Sequence, residues 1–365
     1  METESHREQS NETLRREVIK KASEANPFDA PLPEANPFDA PLPETRRAIK
    51  TTETPVVPLS PKIVLPKYAS NYNLCPFTDE SELSEYGFTF VPYKDSRYTI
   101  YWGINTTGLH VHKKFGVMES GFFNEAAFID TVGAYQCSSL NMKSGYDCIS
   151  NFDLNGRRSA KDIVFSLAAN KQSKYNAAHG SSDSFDQPII LACQNPSDRS
   201  IGYPHSQSVY MQFVEDCCKF YGKDLFLKLH PWNSGEKATA FIEIAEKYNC
   251  GVGKFNMSLI KGKEFVIGFN TTMVVDCILR DVPVVQYAMG TFWNCFGVHF
   301  SNYTFPTKVD PIPNADNLAN FLIHKYCYNK DTMGQEKYAE MIRHYASSTD
   351  IFPMIDKFSY ASNCV

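Results

Sequence analysis

Between residues 188 and 288, short apolar runs alternate with longer segments of helical periodicity, and this alternation limits the fold more than any other feature of the chain. PIILAC (188–193), DLFLKL (224–229), KEFVIGF (263–269) and VPVVQYA (282–288) are near-continuous apolar runs. Their length and composition fit strands covered on both faces. Between them lie SQSVYMQFVEDCCKFYG (206–222), an amphipathic helix closed by Gly222, then EKATAFIEIAEKYN (236–249) and TMVVDCILRD (272–281). Parallel neighbours need a crossover to return the chain, so strand-helix alternation at this pitch predicts an α/β fold with a doubly wound parallel sheet.

In such a sheet the residues just after each strand gather along one edge, and ligands bind there. That edge would carry Gln194 to Asp198 (QNPSD), His230-Pro231, Asn270-Thr271-Thr272 and Gln286-Tyr287. The strand delivers His230 to a crevice, and Pro231 fixes the direction in which the chain leaves. Asn270 to Thr272 lie between a strand and a helix whose first N–H groups lack partners, a place suited to a cap or a phosphate. A histidine one strand away would add a second donor, as a neutral N–H or as a cation. Each alone has a plainer reading: His230 as a strand-end side chain satisfied by backbone, Asn270 to Thr272 as an ordinary cap. Together at one edge they point to a phosphate site.

The ordered set Q-x-x-x-D, apolar strand, K-x-H-P, apolar strand, small polar pair, helix, P-V-V resembles the capsule polysaccharide and Kdo-transferase group of B-type glycosyltransferases, over about residues 115 to 290. The resemblance implies a GT-B-like architecture, two Rossmann-like domains facing each other across a cleft. It implies a nucleotide-sugar donor held mainly by the C-terminal domain, with Gln194, His230, Pro231, Asn270, Thr271, Thr272 and Gln286 as donor-binding residues. His230 would contact a donor phosphate, and Thr271-Thr272 would take the place of the family's Ser/Thr pair, preceded here by Asn270 instead of a serine. FGVMESGFF (115–123) is similar to the acidic-x-Gly segment of related inverting transferases, which makes Glu119 the candidate base facing His230. A plainer reading pairs Glu119 with Lys113 or Lys114. Asp198 is the competing catalytic carboxylate, and covalent action there would retain stereochemistry.

The expected boundaries are a disordered arm over 1–66, an acceptor-side Rossmann-like domain over 67–185 and a nucleotide-sugar domain over 186–345. Residues 346–365 would pack back on the first domain. The polar stretch Lys171 to Gln187 reads as a linker between the halves. The arm holds a tandem repeat, ANPFDAPLPE at 25–34 and 35–44, then the proline-rich TPVVPLSPKIVLP. Proline at this density excludes helix and sheet interior. The repeat is a spacer, or a docking peptide for a protein partner with Phe28 and Phe38 as anchors.

Composition closes other routes. No stretch approaches the roughly 18–20 uninterrupted apolar residues of a membrane helix, and the N-terminus is polar where a signal peptide needs an apolar core, so a cytoplasmic protein is expected. The net charge of −5 writes no general attraction to nucleic acid into the whole. The eleven cysteines include no CxxC spacing, which fits free thiols better than a disulfide frame or zinc site. His110 and His112 of LHVH share a strand face without an evident third ligand, and Trp102 in YTIYWG fits a core position better than a sugar platform. Without a Walker loop or GxGxxG, kinase and dehydrogenase chemistry lacks its phosphate cradle. No metal and no cofactor beyond the nucleotide-sugar substrate is called for. The acceptor would be a surface polysaccharide or glycolipid, or a hydroxymethylated base in DNA, as in a phage enzyme. The alternatives are a nucleotide-sugar epimerase on the same fold and a non-catalytic binding protein recruited by its repeat.

Overall fold

A computed structural model describes residues 63–66, 80–92, 95–103, 114–134, 138–174, 185–198, 201, 206–288, 299–300, 304–311, 314–329, 332–348 and 358–363. The tandem repeat with Phe28 and Phe38, and His110, His112 and Lys113, lie outside the described residues. The first elements are β1 (Val64–Pro66), α1 (Glu80–Ser84), β2 (Thr89–Val91), β3 (Tyr98–Trp102), β4 (Lys114–Ser120), β5 (Ala126–Asp130), α2 (Lys143–Ser150) and α3 (Ala160–Ser166). There follow β6 (Ile189–Ala192), α4 (Gln207–Tyr221), β7 (Leu225–Lys228), α5 (Glu236–Lys247), β8 (Gly251–Gly253), β9 (Phe265–Gly268), α6 (Val274–Leu279), β10 (Val284–Gln286), β11 (His299–Phe300), α7 (Asp316–Phe321), β12 (Cys327–Asn329) and α8 (Gln335–Ser347).

Strands β6 to β11 form one all-parallel sheet in the order β11-β10-β9-β6-β7-β8. The chain winds outward from β6 through β7 and β8, then restarts beside β6 with β9 and winds the other way. The switch point therefore lies between β6 and β9. Alternate residues of β6 serve opposite cores. Ile189 and Leu191 pack with Tyr210, Phe213 and Val214 of α4 and Phe241 of α5. Ile190 and Ala192 pack with Val274 and Cys277 of α6 and Leu318 of α7. With both faces covered, the strands are mostly apolar, with Lys228 and Gln286 the polar residues at the ends of β7 and β10, which is why they read as runs. Each fully buried Ile, Leu or Phe contributes about 1.5–3 kcal/mol.

Local chemistry sets the helix ends. Ser206 Oγ accepts from Val209 N–H at 3.3 Å to open α4, and Gly222 at φ +54° closes it. Helix α3 begins at Ala160, where Ser159 and Asp162 form a reciprocal capping box, and ends where Leu167 becomes extended. The expected 272–281 helix shrinks to α6, since Thr271 Oγ1 takes the Met273 N–H at 3.2 Å and delays the first turn.

The first half carries a different sheet from the Rossmann-like one expected. Its order is β12-β5-β4-β3, with β3 and β4 parallel and the other two pairings antiparallel. The reason is the tight return between β4 and β5, where Gly121 N–H donates to Ala126 O at 2.7 Å. A return this short cannot hold a crossover helix, so the strands pair antiparallel. A Cβ on Gly121 would lie 2.7 Å from that of Ala126, so the turn needs glycine. Val117 and Phe128 on one face share a core with Ile190 and Val266 of the parallel sheet. The opposite face packs Ile100, Met118 and Ile129 against Ala339 and Ile342 of α8, with Trp102 partly buried against them. Asp130, 1% exposed, accepts from Ser138, Ser139 and Tyr326, which ties β5 to the chain before β12. Tyr360 returns to this sheet, its hydroxyl donating to Asn124 O at 2.9 Å. At the expected end of the arm, Val64–Pro66 pair with β2, and Pro66 sits in a two-stranded sheet that spares its missing N–H. Among the described residues no helix is long and apolar enough to cross a membrane, and the cysteines are free thiols.

Candidate active site

The ends of β6 and β9 are joined by a reciprocal amide pair. Gln194 Nε2 donates to Asn270 Oδ1 at 2.7 Å, and Asn270 N–H donates to Gln194 Oε1 at 3.1 Å. Asn233 Nδ2 donates to Gln194 O at 3.2 Å, and Gln194 N–H donates to the Tyr210 hydroxyl at 2.6 Å. These bonds fix the floor of the switch point. Thr271 folds back over Gly268, where an added Cβ would meet Thr271 Cγ2 at 2.4 Å. Glycine at the end of β9 therefore sets how closely the Thr271 loop lies on the sheet.

Above this floor is a cavity lined from three strand ends. Cys193, Gln194, Asn195 and Asp198 follow β6; Lys228, His230 and Pro231 end and follow β7; Asn270, Thr271, Thr272 and Met273 follow β9. Ser173 and Lys174, Met257 and Asp276 complete the wall. His230 Nδ1 accepts the Trp232 N–H at 3.2 Å, so the neutral ring carries its proton on Nε2 and is a donor there. Pro231 holds the exit, its carbonyl accepting from Lys254 Nζ at 2.8 Å. Lys228 is 6% exposed, and its ammonium has neither ion pair nor hydrogen bond among the described residues. Burial pushes its ammonium down from 10.5 to about 8, with Asp276 pulling the other way. Asp276 is itself raised by burial and held by Arg280 at 3.2 Å.

No family model and no curated protein matches the chain. Among solved structures, Thermosulfurimonas dismutans KpsC, beta Kdo 2,7 transferase, is similar at TM-score 0.49 and 14% identity, over 78% of this chain and 98% of that one. KpsC, beta Kdo 2,4 transferase, from the same organism is similar at TM-score 0.47 and 12% identity, over 77% and 98%.

Seven of the residues expected from the sequence line this one cavity: Gln194, Asp198, His230, Pro231, Asn270, Thr271 and Thr272. Two stand outside its lining. Gln286 is fully buried, and its Nε2 donates to Thr271 O at 2.7 Å, so it supports the loop from behind. Glu119 sits at the end of β4, where its Oε1 accepts from Ser120 N–H at 2.7 Å. It adjoins the site through Ser120, whose carbonyl accepts from Lys174 Nζ at 3.3 Å. The Lys114 side chain, its expected partner, lies outside the described residues.

The source of positive charge also differs from expectation. Helix α6 has six residues, and Thr271 already occupies the Met273 amide, so little helix dipole is left to hold an anion. Lys228 and Lys174 supply formal charge instead. Sequence reasoning passed over both. Lys228 sat inside an apolar run, and the K of K-x-H-P was the one signal that could have raised it. Lys174 sat in the stretch read as a linker.

Proposed function

We propose that the protein is a glycosyltransferase that moves a sugar from a nucleotide-activated donor to a hydroxyl of a glycan acceptor. The observation that carries this reading is the meeting of Lys228, His230 and Asn270 to Thr272 in one cavity at the switch point of a doubly wound sheet. An anionic donor fits there: a buried ammonium, an imidazole N–H and small polar groups face the space a phosphate would fill. The K-x-H-P motif and its ordered partners resemble a glycosyltransferase family, which supports the same conclusion.

In this reading the acceptor oxygen attacks the anomeric carbon while the bond from that carbon to the donor phosphate oxygen breaks. The electron pair leaves on the phosphate, beside Lys228 and His230. The acceptor proton passes to a carboxylate. Asp198 is the expected carboxylate that lines the cavity, and Glu119 is the second candidate, one residue from the Ser120 carbonyl that Lys174 holds. Asp198 as base gives inversion. As nucleophile it gives retention.

A thermal-shift screen of the full chain against CMP-, UDP-, GDP- and dTDP-linked sugars tests the reading. Binding to the folded state alone raises stability by about 2.7 kcal/mol at a hundred times Kd. One nucleotide class should raise Tm, and His230→Ala should lower transfer by about a hundredfold by removing one donor to the leaving group. A screen in which no compound shifts Tm would refute the proposal, as would turnover of donor alone without acceptor.

A further inference from the structure

Lys228 is a cation buried without a counter-ion among the described residues. The groups that face it come from four directions: Cys193 after β6, Asp276 and Cys277 of α6, Lys254 after β8, and the Phe255 ring, 5.5 Å from Nζ. None of them neutralises it. Asp276, the one carboxylate in the set, is taken by the guanidinium of Arg280, which also donates to the Asp276 and Gln172 carbonyls at 3.3 and 3.2 Å. Arg280 and Asp276 are 7% exposed each, so the pair is buried, with Asp276 in the cavity wall. The open direction for the Lys228 ammonium is the cavity that it lines with His230 and Lys174.

Burying an ammonium without a partner is costly, and the cost is recovered only when an anion arrives. A bound anion also favours the protonated amine. We propose that Lys228 is the anion receptor of this cavity, that it binds the phosphate oxygens of the donor, and that in mildly alkaline solution the anion enters together with a proton. This rests on the donor-site reading given above and adds to it a named receptor and a pH dependence.

The depressed ammonium, at about 8, sets the window. Below it the empty site already carries its charge. Above it the Lys228 amine is neutral, and binding at that amine must draw a proton from solvent, so affinity falls up to tenfold for each further pH unit. The groups around it do not cancel the effect, since burial raises Cys193 and Cys277 above the ordinary thiol range.

The test uses the full chain and inorganic sulfate, a dianion throughout the range, titrated calorimetrically at constant ionic strength in two buffers of different ionisation heat. Wild type should bind with little pH dependence below pH 7.5, weaken about tenfold between pH 8.5 and 9.5, and take up close to one proton there. Lys228→Met should bind at least tenfold more weakly at pH 7. Lys228→Arg, charged at every pH, should lose the pH dependence whatever its affinity. Should Lys228→Met fail to give a cooperative melt, Lys228→Gln replaces it. Equal affinity in wild type and Lys228→Met, or a wild-type affinity that is flat to pH 9.5, overturns the proposal. A nucleotide-sugar that still shifts Tm in such a case leaves the glycosyltransferase reading standing. No sulfate binding and a blank nucleotide screen overturn both.

Discussion

A lysine whose proton is held more weakly in the fold than in the unfolded chain leaves a mark on stability that runs against the usual alkaline loss. Lys228 falls from 10.5 to about 8 on folding, chiefly through burial. Below pH 8 both states carry the proton, and the fold bears the whole penalty. Between the two values the unfolded chain keeps its proton and the fold does not, so this group's contribution to stability rises with pH. Lys228→Met should therefore be more stable than wild type at pH 7, by up to about 3 kcal/mol for a shift of this size. Urea denaturation at pH 7 and pH 10 should show that gap closing, and a gap independent of pH would contradict the assignment. The site was legible at this scale wherever a polar residue ended an apolar run, as at Gln194, His230 and Asn270. It was illegible where the property is tertiary. Nothing in DLFLKL marks Lys228 as buried, without a counter-ion among the described residues, and nothing in VPVVQYA shows that Gln286 turns inward to Thr271.

Among the elements, β9 and the loop after it have the closest tolerance. Adding a methyl at Gly268 would drive into Thr271 Cγ2 at 2.4 Å, and a β-branched side chain has little rotamer freedom to give way. Gly268→Ala should cost about 1–3 kcal/mol of stability and weaken anion binding by moving Thr271. Gly268→Ala with Thr271→Ser, which removes the opposing methyl and keeps the hydroxyl, should recover most of both, as read by melting and titration; additive losses would show that the contact is not the cause. The parallel strands β6, β7, β9 and β10 were legible because burial on both faces makes them mostly apolar, within longer apolar runs of the chain. Others were not. Strand β8 is Gly251-Val252-Gly253, too short and too rich in glycine to stand out, and β12 is three residues whose partner lies two hundred positions upstream. The antiparallel turn at Gly121 was hidden for a different reason: it depends on a close approach of Gly121 to Ala126 that no periodicity encodes.

Across the whole molecule, the two sheets share one core in which Val117 and Phe128 of the mixed sheet meet Ile190 and Val266 of the parallel one. Residues Pro61–Val365 form a single compact unit, so melting either sheet would open the core that both share. Calorimetry of the full chain should give one cooperative transition for this unit, and two resolved transitions would mean that the common interior does not couple them. The placement of β12 carries this dependence into biosynthesis. Cys327–Asn329 cover the free edge of β5, yet a ribosome reaches them only after the entire parallel sheet has been made. At about 5–20 residues per second the edge of Ala126–Asp130 stays open for about 10–40 s during translation, a bare template for intermolecular pairing that nascent-chain chaperones would have to shield.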